Sequence, residues 1–199
     1  MRWKSAIPWS MVVLRAILGL LAAVAAWRMA RPELWLGGII AAASLSDVYD
    51  GILARRWGTA TASLRLGDSV ADTTFYLGVL VAIILRHWPV LQERLGLLTA
   101  VLALETLRMG FDWIKFRRFA SYHSYVAKLW GISLAAASVA LLCFNRGYWL
   151  LSLSLVLGIL CDLEGLAISL MLHEWTHDVK SLRAALELRR QSKELDNSP

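Results

Sequence analysis

The chain predicts an all-α integral membrane bundle of six transmembrane helices with cytoplasmic termini. Three observations lead there. Hydrophobic residues make up 58% of the 199, a balance rare in a water-soluble domain. Apolar runs long enough to cross about 30 Å of hydrocarbon recur along the chain. Lysine and arginine are distributed unevenly between the connections of those runs.

The spans are expected at Trp9–Trp27, Trp35–Trp57, Gly67–Arg86, Pro89–Arg108, Tyr125–Phe144 and Gly147–Leu172. The first run lacks a small-residue cleavage site behind it and reads as a retained span. Pro32, Pro89 and the Asn145-Arg146-Gly147 stretch punctuate short connections on one side. The fourth and fifth spans are separated by the basic stretch Lys115-Phe116-Arg117-Arg118. Residues 1–178 form the expected membrane domain. Residues 179–199 form a polar cytoplasmic tail, in which Leu182, Ala185, Leu186 and Leu188 among basic residues suggest an amphipathic helix.

With Arg15 and Lys128 counted as intramembrane, 14 of the 21 basic residues fall on the side holding both termini, and five on the other. The richer side is therefore cytoplasmic. Trp27, Trp35, Trp88 and Trp149 fall at outer span ends and Trp3, Trp9, Trp57, Trp113 and Trp175 at inner ones, where amphipathic rings favour the headgroup level. The net charge of +6 suits anionic headgroups and phosphorylated substrates, so nucleic acid is not expected as a partner. Cys143 and Cys161 lie inside apolar runs without metal-ligand spacing and read as buried thiols.

Chemistry concentrates at the second and third spans. Asp47, Asp50, Gly51 and Ala54 stand at i, i+3, i+4 and i+7, one helical stripe that would ordinarily be apolar. Asp68 and Asp72 stand at i and i+4 on the next helix. A short loop would bring four carboxylates together at the cytoplasmic membrane edge. Each costs about 2.5–3.5 kcal/mol at a span's centre and less near the interface. Divalent cations would neutralise them, and clustered oxygen ligands suit Mg²⁺ or Mn²⁺, two ions being the expectation. Arg55 offers a fixed charge for phosphate, and Gly51 and Ala54 leave room beside the helix.

Asp47-x-x-Asp50-Gly51-x-x-Ala54-Arg55, eight residues, then Leu64-x-x-x-Asp68-x-x-x-Asp72 resembles the signature of the CDP-alcohol phosphotransferases. Seven of that signature's eight fixed positions match. Pro8 and Arg15 are placed like the family's Pro-Asn…Arg start, with Trp9 in place of the asparagine. Leu64 stands where the family has a glycine lining its nucleotide pocket, and would crowd that pocket unless the helix shifts. The resemblance implies that Asp47, Asp50 and Asp68 are metal ligands and that Asp72 is both ligand and general base. It also implies that Gly51, Ala54 and Arg55 contact the CDP part. The expected reaction moves a phosphatidyl group from a CDP-lipid, CDP-diacylglycerol foremost, to a small alcohol with release of CMP. A homodimer and a bacterial inner-membrane location with a cytoplasmic active site follow from the same resemblance. Arg108, Lys115, Arg118 and Lys128 are the expected ligands of an acceptor or lipid phosphate, although the positive-inside rule alone accounts for such residues in a loop.

Two other readings compete. His173-Glu174-Trp175-Thr176-His177 matches the H-E-x-x-H zinc pattern, but only three positions are fixed and 22 residues follow His177, little from which to build a cleft. Acids in spans also line cation pathways, which makes a cation-binding or transport protein the non-enzymatic alternative.

Overall fold

The structure is a computed structural model that describes residues 3–59, 61–118, 122, 124–172, 174–176 and 179–196. The described residues form seven helices and no strand: α1 (Trp3–Arg28), α2 (Glu33–Trp57), α3 (Ala62–Gln92), α4 (Leu95–Phe116), α5 (Tyr125–Phe144), α6 (Tyr148–Met171) and α7 (Leu182–Asp196). Two compact units emerge, one of Met1–Gln92 with Ala135–Tyr148, the other of Glu93–Leu134 with Trp149–Pro199.

Among the described residues, five helices are long and apolar enough to cross a membrane: Ala6–Arg28, Glu33–Trp57, Ser63–Gln92, Tyr125–Phe144 and Tyr148–Met171. Their outward side chains are large and apolar, as with Leu20 at 61%, Ile132 at 69% and Leu170 at 58% exposure. Lipid tails, rather than water, suit such a surface. The chain is accordingly an integral membrane helical protein.

The third expected span ends where the helix geometry breaks: His87 is non-helical (φ −135°, ψ 36°), so the range Ala62–Gln92 is two helices meeting at a kink just past Arg86. The fourth expected span, Pro89–Arg108, needs correction. The short piece after His87, with Pro89 near its start, stops at Gln92 and does not run on into the next helix. The next helix therefore begins at Leu95 and reaches Phe116. It carries Glu105, Arg108, Asp112 and Lys115, and is not among the five apolar candidates.

In the first unit, α1 and α3 pack through glycine. A Cβ on Gly19 would lie 2.5 Å from Cα of Phe75, and one on Gly78 would overlap the Gly19 backbone. Small residues let two helix backbones meet closely where no water drives them together. Trp9 meets Gly67, and Gly19 meets Phe75 and Gly78, so the register rises together and the helices run parallel. Between these contacts, the crossing places Arg15 of α1 opposite Asp68 and Asp72 of α3.

The connection from α2 to α3 is tight. Gly58 takes a left-handed conformation (φ 65°, ψ 26°) past the end of α2, and the Thr59 amide donates to the Ala54 carbonyl at 2.9 Å. Thr61 then caps α3, its Oγ1 accepting from the Leu64 amide at 3.2 Å. Between the two halves of the aspartate motif, the described residues thus give a helix stop at Gly58 and a helix start at Thr61.

In the second unit, α4 is held against α6 by polar contacts. Arg94 Nε donates to Ser152 Oγ at 2.9 Å, Arg108 Nε to Asp162 Oδ1 at 3.1 Å, and Lys115 Nζ to the Ser169 carbonyl at 2.7 Å. Register again rises together, so this pair is parallel too. Past α6 the chain folds back on its own unit. Ile168, Leu172, Val179 and Ala185 form a buried cluster, with Phe116, Tyr122, Leu182 and Leu188 packed against it. Ser181 opens α7, its Oγ accepting from the Ala184 amide at 3.3 Å. Of the apolar residues of α7, Ala185 is buried and Leu182 and Leu188 pack against the cluster, whereas Leu186 is 43% exposed. Cys143 and Cys161 are free thiols, partly buried.

Candidate metal and phosphoryl-transfer site

The four aspartates of the motif converge. One oxygen from each of Asp47, Asp50 and Asp68 lies within 4.8 Å of the others. Helical spacing explains why: Asp47 and Asp50 share a face of α2, Asp68 and Asp72 share a face of α3, and the Gly58–Thr61 reversal sets those faces side by side. Asp50 is buried, whereas the Asp47 and Asp72 side chains are 52% and 41% exposed. The site therefore has a closed floor and an accessible rim.

Arg15 enters this cluster from α1. Its Nη1 lies 3.0 Å from Asp47, 2.7 Å from Asp68 and 2.5 Å from Asp72, and its Nη2 pairs with Asp50. One guanidinium faces four carboxylates, which leaves an excess of formal negative charge. Hard oxygen donors in this number and proximity fit Mg²⁺ or Mn²⁺. The sequence places Arg15 like the arginine of the family's start but does not show what it touches. The signal was there: a lone arginine deep in an apolar run needs a counter-charge, and these aspartates stand at the same end of the neighbouring spans.

Gly51, Ala54 and Arg55 continue the α2 face. The exposed Arg55 guanidinium folds back along the helix beside Gly51, where an added Cβ would lie in ordinary contact, 3.4 Å from Nη1. Ala54 is buried with Leu64, Val12 and Ala71. Leu64, 6% exposed, thus fills the space beside the motif alanine. Trp9 covers Gly67, where a Cβ would meet the indole at 2.7 Å. Both departures from the family pattern are therefore accommodated within the packing of α1 on α3.

The four basic residues expected to bind an acceptor phosphate all lie in the second unit and already have partners. Arg108 pairs with Asp162 at 3.1 Å and lies 3.8 Å from Asp112. Lys115 donates to the carbonyls of Ser169 and Leu170 at the end of α6. Arg118 lies over the Trp175 ring at 5.3 Å, and Lys128 over the Tyr125 ring at 5.8 Å.

Around Arg108 the structure adds a network that sequence reasoning did not identify. Ser169 Oγ donates to the buried Asp112 carboxylate, and the Tyr122 hydroxyl lies 3.1 Å from Ser169 Oγ. Burial pushes the Tyr122 phenol above its ordinary value, keeping it protonated and able to donate. Asp112 and Asp162 in apolar surroundings were the missed signal.

Of the competing zinc pattern, His173 and His177 lie outside the described residues. Glu174, Trp175 and Thr176 lie outside any helix, whereas that pattern needs one helical turn.

The family described as CDP-alcohol phosphatidyltransferase matches residues 5–160. No curated protein and no solved structure matches the chain. The matched stretch contains Arg15, the whole aspartate motif and α4.

Proposed function

Since the chain belongs to the CDP-alcohol phosphatidyltransferase family, whose members transfer a phosphatidyl group from a CDP-alcohol to an acceptor, we propose that it uses a CDP-lipid, foremost CDP-diacylglycerol, and a small alcohol, releasing CMP. The observation that carries this reading is the convergence of Asp47, Asp50 and Asp68 within 4.8 Å, with Asp72 joined through Arg15.

Asp47, Asp50, Asp68 and Asp72 would hold two divalent ions, Mg²⁺ or Mn²⁺. Such ions, when bound, would neutralise the pyrophosphate and the charge on the leaving phosphate. Gly51, Ala54 and Arg55 would receive the CDP part, and the exposed guanidinium of Arg55 suits a phosphate oxygen. Asp72 acts as general base. Its partly exposed carboxylate can meet an incoming hydroxyl and take the proton. The freed oxygen attacks the phosphorus distal to cytidine, the bond from that phosphorus to the bridging oxygen breaks, and CMP departs with that oxygen. Holding the two reactants in line supplies much of the acceleration.

For the acceptor we favour a phosphorylated alcohol, held by the basic set Arg108, Lys115, Arg118 and Lys128. Within it Arg118 and Lys128 are the stronger candidates, because a ring contact uses none of a cation's N–H donors. Lys115 and Arg108 already spend donors on Ser169 and Asp162. We further infer that α4 is a sixth span. Its parallel pairing with α6 from Arg94 to Lys115 supports this, since its charges find partners there instead of lipid. A homodimer in a bacterial inner membrane, with the aspartates facing the cytoplasm, completes the reading and accords with the basic inner connections.

The test is CMP release from CDP-diacylglycerol by purified protein with Mg²⁺ or Mn²⁺. The acceptors are glycerol phosphate, inositol phosphate, inositol and serine, with Asp68→Ala as control. Acceptor-dependent CMP that vanishes in the control is expected. Metal binding without CMP from any acceptor would reject the transferase reading in favour of a cation-binding protein.

A further inference from the structure

Arg15 is 1% exposed and touches one oxygen of every carboxylate in the candidate metal site. Its Nε has no hydrogen-bond partner among the described residues, so its polar contacts are made through the Nη end. The close α1–α3 crossing at Gly19 and Gly78 fixes the backbone one turn away. A delocalised, weakly hydrated guanidinium is the cation best suited to such a burial.

Building on the metal-site reading above, we infer that Arg15 is a positioning residue: a resident counter-cation that holds the four carboxylates together before metal enters, and competes with metal for their oxygens. Without a cation among them, Asp47, Asp50, Asp68 and Asp72 repel one another and splay. With the guanidinium in place they stay gathered, and any divalent ion arriving at Asp47, Asp50 and Asp68 meets both a positive charge and oxygens already engaged. The site is thereby preformed, yet its hold on metal is moderated.

The experiment measures Mn²⁺ binding by calorimetry on detergent-purified full-length protein, alongside thermal unfolding with and without saturating Mn²⁺. In Arg15→Gln, Mn²⁺ is expected to bind about tenfold more tightly, since one unit of local positive charge is gone. The metal-free variant is expected to melt below wild type, and Mn²⁺ to raise its Tm by more than it raises that of wild type. A purely structural role would lower Tm without tightening Mn²⁺. Arg15→Lys keeps the charge but, with a single ammonium, reaches fewer oxygens, and is expected to bind about threefold more tightly than wild type. It decides the matter alone if the glutamine variant does not fold. A Kd at or above the wild-type value in the variants that fold overturns the inference and leaves the metal site standing. Absence of Mn²⁺ binding in wild type and variants alike removes the metal site itself.

Discussion

Trp9 lies directly over Gly67, so that a Cβ added to the glycine would come within 2.7 Å of the indole Cζ3. Gly67 immediately precedes Asp68, and any shift of α1 against α3 at this point is passed to the carboxylate cluster. Gly67→Ala is therefore expected to cost about 1–3 kcal/mol through overpacking. Thermal unfolding checks this. Trp9→Ala combined with Gly67→Ala should lose less than the sum of the two single changes, because the clash goes with the ring.

Leu64 occupies the space beside the motif alanine, in one buried cluster with Ala54, Val12 and Ala71. Leu64→Gly should destabilise the protein by about 3–5 kcal/mol, combining a core cavity with a glycine inside a helix. The same change should tighten binding of CDP by opening the room that a family glycine provides. Calorimetry with CDP and unfolding measurements read the two effects separately. Unchanged or weaker CDP binding in a folded variant would show that Leu64 does not restrict the nucleotide.

Asp72→Asn keeps an oxygen for Arg15 and for a metal but cannot take a proton at neutral pH. CMP release should fall by about 10²–10⁴-fold, the usual worth of a positioned general base. CDP affinity should change little, whereas Mn²⁺ should bind about tenfold more weakly, since one unit of negative charge leaves the ligand set. Substantial residual turnover would reassign the base.

Arg108 is the cation facing two buried carboxylates, Asp112 and Asp162. Arg108→Met is expected to cost about 3–5 kcal/mol, since removing one partner leaves buried charge behind. Asp162→Asn should cost less, because a neutral amide oxygen still accepts from Arg108 Nε. The comparison is made by thermal unfolding. Arg108 is primarily a binder of acceptor phosphate only if its substitution raises the acceptor KM while leaving Tm unchanged.

The carboxylate cluster was legible in the sequence because helical period alone puts Asp47 with Asp50 and Asp68 with Asp72, and a short reversal does the rest. Arg15 was not. Its place depends on how closely α1 approaches α3, and that is set by Gly19 and Gly78, whose pairing no periodicity reveals. The break after Arg86 was legible, since His87 leaves helical geometry there, but the start of the next helix was not: Pro89 opens only a short piece that ends at Gln92, and α4 begins at Leu95. Arg108 and Lys115 of α4 read from the sequence as ligands of an acceptor or lipid phosphate. Their partners, Asp162 and Ser169, lie some fifty residues onward on α6, beyond the reach of any local pattern.

The cluster of Ile168, Leu172, Val179 and Ala185 bears on how the chain can be shortened. Trimming at the end of the last apolar helix looks harmless on a hydropathy plot. It would uncover Ile168 and Leu172, now 0% and 4% exposed, and remove Lys180, whose carbonyl accepts from the Tyr125 amide at 3.4 Å. The short polar stretch after α6 behaves as a clasp rather than a leash. A trimmed form that keeps it through Leu188 should survive detergent extraction, and one that stops at residue 178 should precipitate.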